Sequence, residues 1–193
     1  FAVSAILTNL AMAIRNGILV ILLDPTFQIF GYFLFPLALL VIVGIVRLLY
    51  ERKKYHLDEP EEIDTRLVSP FEFGAAIRFA AVFGFILYIS LVAQAIASDA
   101  GFLVISIIGG LINAGAVVTT AALTFSGGGI GLSTAVYSVV IATTMAIFNK
   151  TIFVYQADRE TKLAMLVFRD GLIMAVGVVI YFILISSGFI PMT

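Results

Sequence analysis

The chain alternates long apolar runs with short polar breaks. Six runs approach the roughly 20 mostly apolar residues that a membrane helix needs: 1–23, 28–50, 74–98, 101–125, 131–155 and 164–189. Turn residues punctuate the breaks. Asp24-Pro25 ends the first run, Ser98-Asp99-Ala100-Gly101 parts the third from the fourth, Ser126-Gly127-Gly128-Gly129 parts the fourth from the fifth, and Gln156 to Lys162 parts the fifth from the sixth. Lipid offers the backbone no hydrogen-bond partners, and these runs are too long for barrel strands, so each predicts a helix. The pattern predicts an all-α fold, a polytopic transmembrane helical bundle of about six spans.

Composition narrows the function. Of 193 residues, 62% are hydrophobic and 12% charged, and the mean hydropathy is +1.15. A soluble domain carries about a quarter charged residues, and one of this size cannot hide so much apolar surface. A soluble enzyme, a nucleic-acid binder and a disordered chain are excluded. With no cysteine and a single histidine, His56, there is no thiol catalysis, disulfide or histidine metal cluster. The expected partners are membrane lipid and a small ion or solute, with no nucleic acid and no cofactor. Stripes of aromatic and small residues fit a monomer or a homodimer face equally.

The charges are unevenly spread. Eleven of the 23 lie in 51–72 and seven in 150–170. The first group is a hydrophilic loop, 51–69, which opens with Arg52, Lys53 and Lys54, so the positive-inside rule puts it in the cytoplasm. Strict alternation then puts the turns at 24–27, 99–100 and 156–162 outside. The margin is thin, because Arg15, Lys150, Arg159, Lys162 and Arg169 counted for the other side nearly level the tally. The acidic stretch Asp58 to Asp64 lacks the spacing of a cation cage and reads as a solvated linker. Glu72 and Arg78 read as interfacial anchors.

The fifth run echoes the first. Met12-Ala13-Ile14-Arg15-Asn16 aligns with Met145-Ala146-Ile147-Phe148-Asn149 at an offset of 133, which also matches Ala2-Val3 with Ala135-Val136. Alternation gives both runs one direction, hence a parallel repeat. Residues 1–50 would be the second half of a first repeat, and 70–193 a four-span second repeat. The abrupt apolar start at Phe1 predicts about two further helices upstream.

Polar groups inside spans cost about 2.5–3.5 kcal/mol each when charged. Arg15, Lys150, Arg169 and Asp170 stand out, with Asn16, Asn113 and Asn149. At about 1.5 Å per residue, Lys150 and Asp170 lie at one level, which predicts an ion pair. These groups either line a polar vestibule or fix helix register by pairing and snorkelling. The run Gly109-Gly110-Leu111-Ile112-Asn113-Ala114-Gly115-Ala116, followed by Thr119, Thr120 and Thr124, predicts a thin, interrupted helix of the kind that exposes carbonyls to a solute. Close helix packing through small residues is the alternative. Gly127-Gly128-Gly129 lacks the Lys and Ser/Thr of a phosphate loop.

Ser69-Pro70-Phe71-Glu72-Phe73 with Ala76 and Phe79 resembles a helix start in the C-terminal membrane domain of MgtC/SapB-type proteins. Asp99-Ala100-Gly101 and Gly110-Leu111 resemble its next helix. Met12-x-x-Arg15 and Lys150 match a Met/Arg element and a basic position of the same domain. The resemblance implies a prokaryotic inner-membrane protein with no settled activity. Where that family often has two aspartates, this chain has Asn113 and Gly115, which puts a hard-cation site in doubt.

The expected function is a transporter or channel-like protein for a small ion or solute. Asn113, Thr119, Thr120, Asn16 and Asn149 are its candidate solute contacts, and Arg15, Lys150 and Asp170 its gate or charge relay. The positive excess leans toward an anion or a fixed counter-charge. The alternative is a non-transporting regulator or scaffold whose polar residues hold helices together. An intramembrane enzyme is disfavoured, since the spans offer no nucleophile–base pair.

Overall fold

The computed structural model describes residues 2–55, 73–158 and 161–187. His56, the acidic stretch 58–64, Ser69 to Glu72 and the side chain of Asp170 lie outside the described residues. The described residues form the helices α1 (Ala2–Leu23), α2 (Gln28–Tyr55), α3 (Phe73–Ser126), α4 (Leu132–Asp158) and α5 (Thr161–Ser186), joined by turns at 24–27 and 127–131. Among the described residues four segments are long and apolar enough to cross a membrane: Ile6–Leu23, Gln28–Tyr50, Ser98–Ser126 and Leu132–Thr151. Shorter apolar stretches cover Ala80–Ala93 and Gly171–Ile185.

The turn between α1 and α2 is built on one carboxylate. Asp24 is fully buried. Its Oδ1 accepts from the Thr26 amide at 3.0 Å and the Thr26 hydroxyl at 2.5 Å, and its Oδ2 accepts from the Ile29 amide at 2.8 Å. It thereby satisfies a donor that the first turn of α2 leaves without an intrahelical partner. Within α2, Pro36 cannot donate to the carbonyl of Tyr32, four residues back. The hydroxyl of Tyr181 in α5 donates to that carbonyl instead, and its ring stacks on Phe35 at 5.5 Å.

α3 joins the expected third and fourth spans without a loop. Ser98, at φ 52, is in the left-handed region and divides it into two arms. A Cβ on Gly109 would lie 3.6 Å from Cδ1 of Ile86. Along a straight helix those residues would be about 34 Å apart, so the chain reverses at Ser98 and the first arm packs back on the second.

The helix directions correct the alternating scheme. Ser126 Oγ donates to the Leu23 carbonyl at 2.8 Å. The turns at 24–27 and 127–131 therefore share one end of the bundle, where alternation puts them on opposite sides. The second arm of α3 runs parallel to α1, and α4 returns antiparallel to both. Asn16 of α1 meets Thr143 of α4, while Val20 packs in one cluster with Val136 and Val139. A parallel repeat requires α1 and α4 to run in one direction, and they do not.

α4 is the most enclosed helix, with Ala135, Val136, Ser138, Val139 and Ala142 wholly buried. The outer faces are apolar: Ile42, Ile45, Val46 and Leu49 on α2 and Val176, Val179, Ile180 and Ile183 on α5 are exposed. That distribution suits hydrocarbon as the surrounding medium.

Candidate functional site

Three helices leave a cavity of about 570 Å³ about halfway along their length, open on one flank of the bundle. α1 contributes Thr8, Ala11, Met12 and Arg15. The second arm of α3 contributes Gly110, Ile112, Asn113 and Ala114, and α4 contributes Ala146, Asn149 and Lys150. The spacing on α1, with Thr8, Ala11, Met12 and Arg15 within two turns, is that of one helix face. The same holds on α4 for Ala146, Asn149 and Lys150.

Arg15 lies over a bare stretch of α3. A Cβ on Gly115 would sit 2.9 Å from Nη2 of Arg15, 3.3 Å from its Cζ and 3.3 Å from Oδ1 of Asn113. The glycine opens the space in which the guanidinium and the carboxamide come together. Nη2 of Arg15 also donates to Oδ1 of Asn16 at 3.4 Å. Oδ1 of Asn113 accepts from the Ala116 amide at 3.3 Å. That is the bond of a helix N-cap, made here inside a helix.

The helix nevertheless runs unbroken through Gly109 to Ala116, which corrects the expectation of an interruption there. Gly110 explains why. A Cβ on it would meet the Ala142 Cα at 2.7 Å and the Ala142 carbonyl oxygen at 2.9 Å, so the glycine lets the α3 and α4 backbones pass in close contact. The left-handed residue is Ser98, upstream of this run.

Four of the sequence-derived candidates, Arg15, Asn113, Asn149 and Lys150, therefore share one cavity. Asn16 does not line it. It is fully buried, and its Nδ2 donates to Thr143 Oγ1 at 3.0 Å, while that hydroxyl donates to the Val139 carbonyl at 2.8 Å. Thr119 and Thr120 lie further along α3, away from the cavity lining, and their hydroxyl oxygens are buried with no hydrogen-bond partner among the described residues. Lys150 Nζ is buried in the same condition. The expected Lys150–Asp170 pair involves a side chain outside the described residues. Thr8 was not among the candidates, and its signal is the seven-residue spacing to Arg15.

Among the described residues, no Asp or Glu lines the cavity. Two cationic groups, two carboxamides and a hydroxyl face it, with Met12, Ile112 and alanines between them. Such a site can bind and orient a small polar or ionic solute. Arg15 is exposed on the outer flank, so the cavity opens from the bundle on the α1 side.

Neither the curated proteins nor the solved structures contain a match to this chain. The family described as "Domain of unknown function (DUF4010)" matches residues 1–157, and the chain belongs to that family.

Proposed function

We propose that this chain is a membrane transport domain, a transporter or channel-like protein that passes a small ion or solute through the cavity between α1, the second arm of α3 and α4. One observation carries the reading: Arg15, Asn113, Asn149 and Lys150 converge on a single mid-bundle cavity. Each intramembrane charge costs about 2.5–3.5 kcal/mol on insertion scales. Groups kept only as helix glue would be expected to pair, whereas Lys150 Nζ has no partner among the described residues.

The internal repeat supports the same reading once its sense is reversed. The offset of 133 that aligns Met12 with Met145 also carries the start of α2 at Gln28 onto the start of α5 at Thr161. α1 and α4 are antiparallel, so we read the α1–α2 and α4–α5 hairpins as an inverted repeat. Transporters with inverted repeats bind solute near the midplane, where the repeats meet. The cavity lies between the paired helices α1 and α4.

The helix directions support an orientation. α2 and α4 end on the same side, which gathers Arg47, Arg52, Lys53 and Lys54 with Lys162 in the first turn of α5. The other end carries Asp24 in its turns and Arg78 near the start of the first arm of α3. The positive-inside rule makes the basic end cytoplasmic. With the MgtC/SapB-type resemblance, this reads as a prokaryotic inner-membrane protein.

A second reading, a non-transporting regulator or scaffold, draws on the open flank. Ile14 and Ile18 beside Arg15 are about half exposed, at 52% and 51%, and a partner helix laid there would cover the cavity. Flux from purified proteoliposomes separates the two. Transport predicts uptake of at least one ion or solute by the wild type and its loss in the double variant Asn113→Leu, Lys150→Met. Undiminished flux in that variant would remove the cavity from the path.

A further inference from the structure

We propose that the cavity is an oxyanion site, which takes a carboxylate-, sulfate- or phosphate-type group between Arg15 and Lys150. This deepens the transport reading and rests on it for its biological role, though the binding itself does not depend on flux.

The composition of the lining decides the sign of the ligand. Two cations face a cavity whose wall carries no carboxylate among the described residues. Arg15 spends one bond on a neutral carboxamide, at 3.4 Å, and a guanidinium has five donors. Lys150 Nζ is buried and has no hydrogen-bond partner among the described residues. A cation arriving here would meet two like charges in a medium that screens them poorly. An anion would neutralise them and would accept the hydrogen bonds that their donors lack.

Geometry favours an oxyanion over a halide. The planar guanidinium presents paired donors that match two oxygens of one anion, and an ammonium adds a point charge. Asn149 adds a carboxamide donor to the same wall. At Asn113 the Oδ1 is engaged by the Ala116 amide, which leaves the NH₂ end of the group as its donor. A side chain at position 115 would push the Arg15 guanidinium aside, so Gly115 lets it rest against α3.

A phospholipid phosphate has the same chemistry as a free anion. The two sources differ in whether the group is tethered, and the cavity opens on its flank, so the test separates them.

The experiment follows the unfolding midpoint of the purified protein in a neutral maltoside detergent. Inorganic phosphate, sulfate and acetate are titrated against sodium chloride at constant ionic strength. The expected result is a saturable upward shift with the oxyanions beyond that of chloride. Arg15→Lys keeps the charge but loses the fork, and should raise the half-saturating phosphate concentration about tenfold or more. Lys150→Met should abolish the response. Asn113→Asp keeps the acceptor for the Ala116 amide and supplies a carboxylate beside Arg15. It should raise the anion-free midpoint and abolish the oxyanion shift, which keeps the proposal testable if Lys150→Met fails to fold.

Native mass spectrometry identifies the source. Phospholipid retained by the wild type and lost in Asn113→Asp assigns the site to a lipid phosphate. A lipid-free protein that still responds to phosphate assigns it to a free anion. A wild type with no oxyanion-specific shift and no retained phospholipid overturns the proposal, as does an equal shift in all variants. An oxyanion shift without flux of any solute leaves the site standing and removes transport. Flux of a cation or neutral solute with no oxyanion binding does the reverse.

Discussion

Gly110 and Gly115 stand five residues apart on one helix and serve different ends. Gly110 admits a neighbouring backbone, because a Cβ there would lie 2.7 Å from Cα of Ala142. Gly115 admits a side chain, the guanidinium of Arg15. Backbone cannot yield as a flexible side chain can, so Gly110→Ala should destabilise the folded bundle by about 1–3 kcal/mol. Gly84→Ala, on an exposed face with nothing within 4 Å of its Cβ, should leave stability unchanged or raise it by about 0.5–1 kcal/mol through helix propensity. Thermal unfolding in detergent of the two variants beside the wild type checks this, and equal midpoints would contradict it. Arg15, Asn113, Asn149 and Lys150 were legible in the sequence because a strong polar group within an apolar run has few structural uses. Asn16 was legible as a polar outlier but not in its role. One residue along a helix is about 100° of rotation, and that turns it from the cavity face of Arg15 to the buried contact with Thr143. The Tyr181 bond to the carbonyl freed by Pro36 was not legible at all, since it joins residues 149 positions apart.

The helices themselves were visible at nearly their full lengths, because apolar length and turn residues are local signals. Their directions were not. Alternation assumes that every apolar run completes a crossing between loops on opposite sides. The reversal at Ser98 falls where alternation also has one, so the parity is lost before it: the first arm of α3 runs in the same direction as α2, which sets the second arm parallel to α1 and reverses α4. Only contacts distant in sequence reveal this, such as Ser126 with Leu23 and Asn16 with Thr143. The chain has no cysteine, so single cysteines report sidedness directly. Thr26→Cys and Ser133→Cys should react with a membrane-impermeant maleimide from the same side of sealed vesicles, and Lys53→Cys from the other. Labelling of positions 26 and 133 from opposite sides would restore the alternating scheme.

At the scale of the whole molecule, a central helix, α4, is enclosed by its neighbours, and the apolar outer faces of α2 and α5 are left to lipid. Arg15, Asn113, Asn149 and Lys150 meet at one cavity that opens on the α1 flank, and a route across a bilayer needs its polar groups to meet in this way. Composition alone identified the membrane class. It could not say whether the few interior charges meet, because that depends on which helices adjoin. The most direct measurement is solute flux through Asn149→Cys in proteoliposomes before and after treatment with a small, charged methanethiosulfonate reagent. If the cavity is the solute path, the thiol at position 149 is reached from water and its modification abolishes flux, while the cysteine-free wild type is unaffected. A thiol that reacts fully while flux continues unchanged would contradict it.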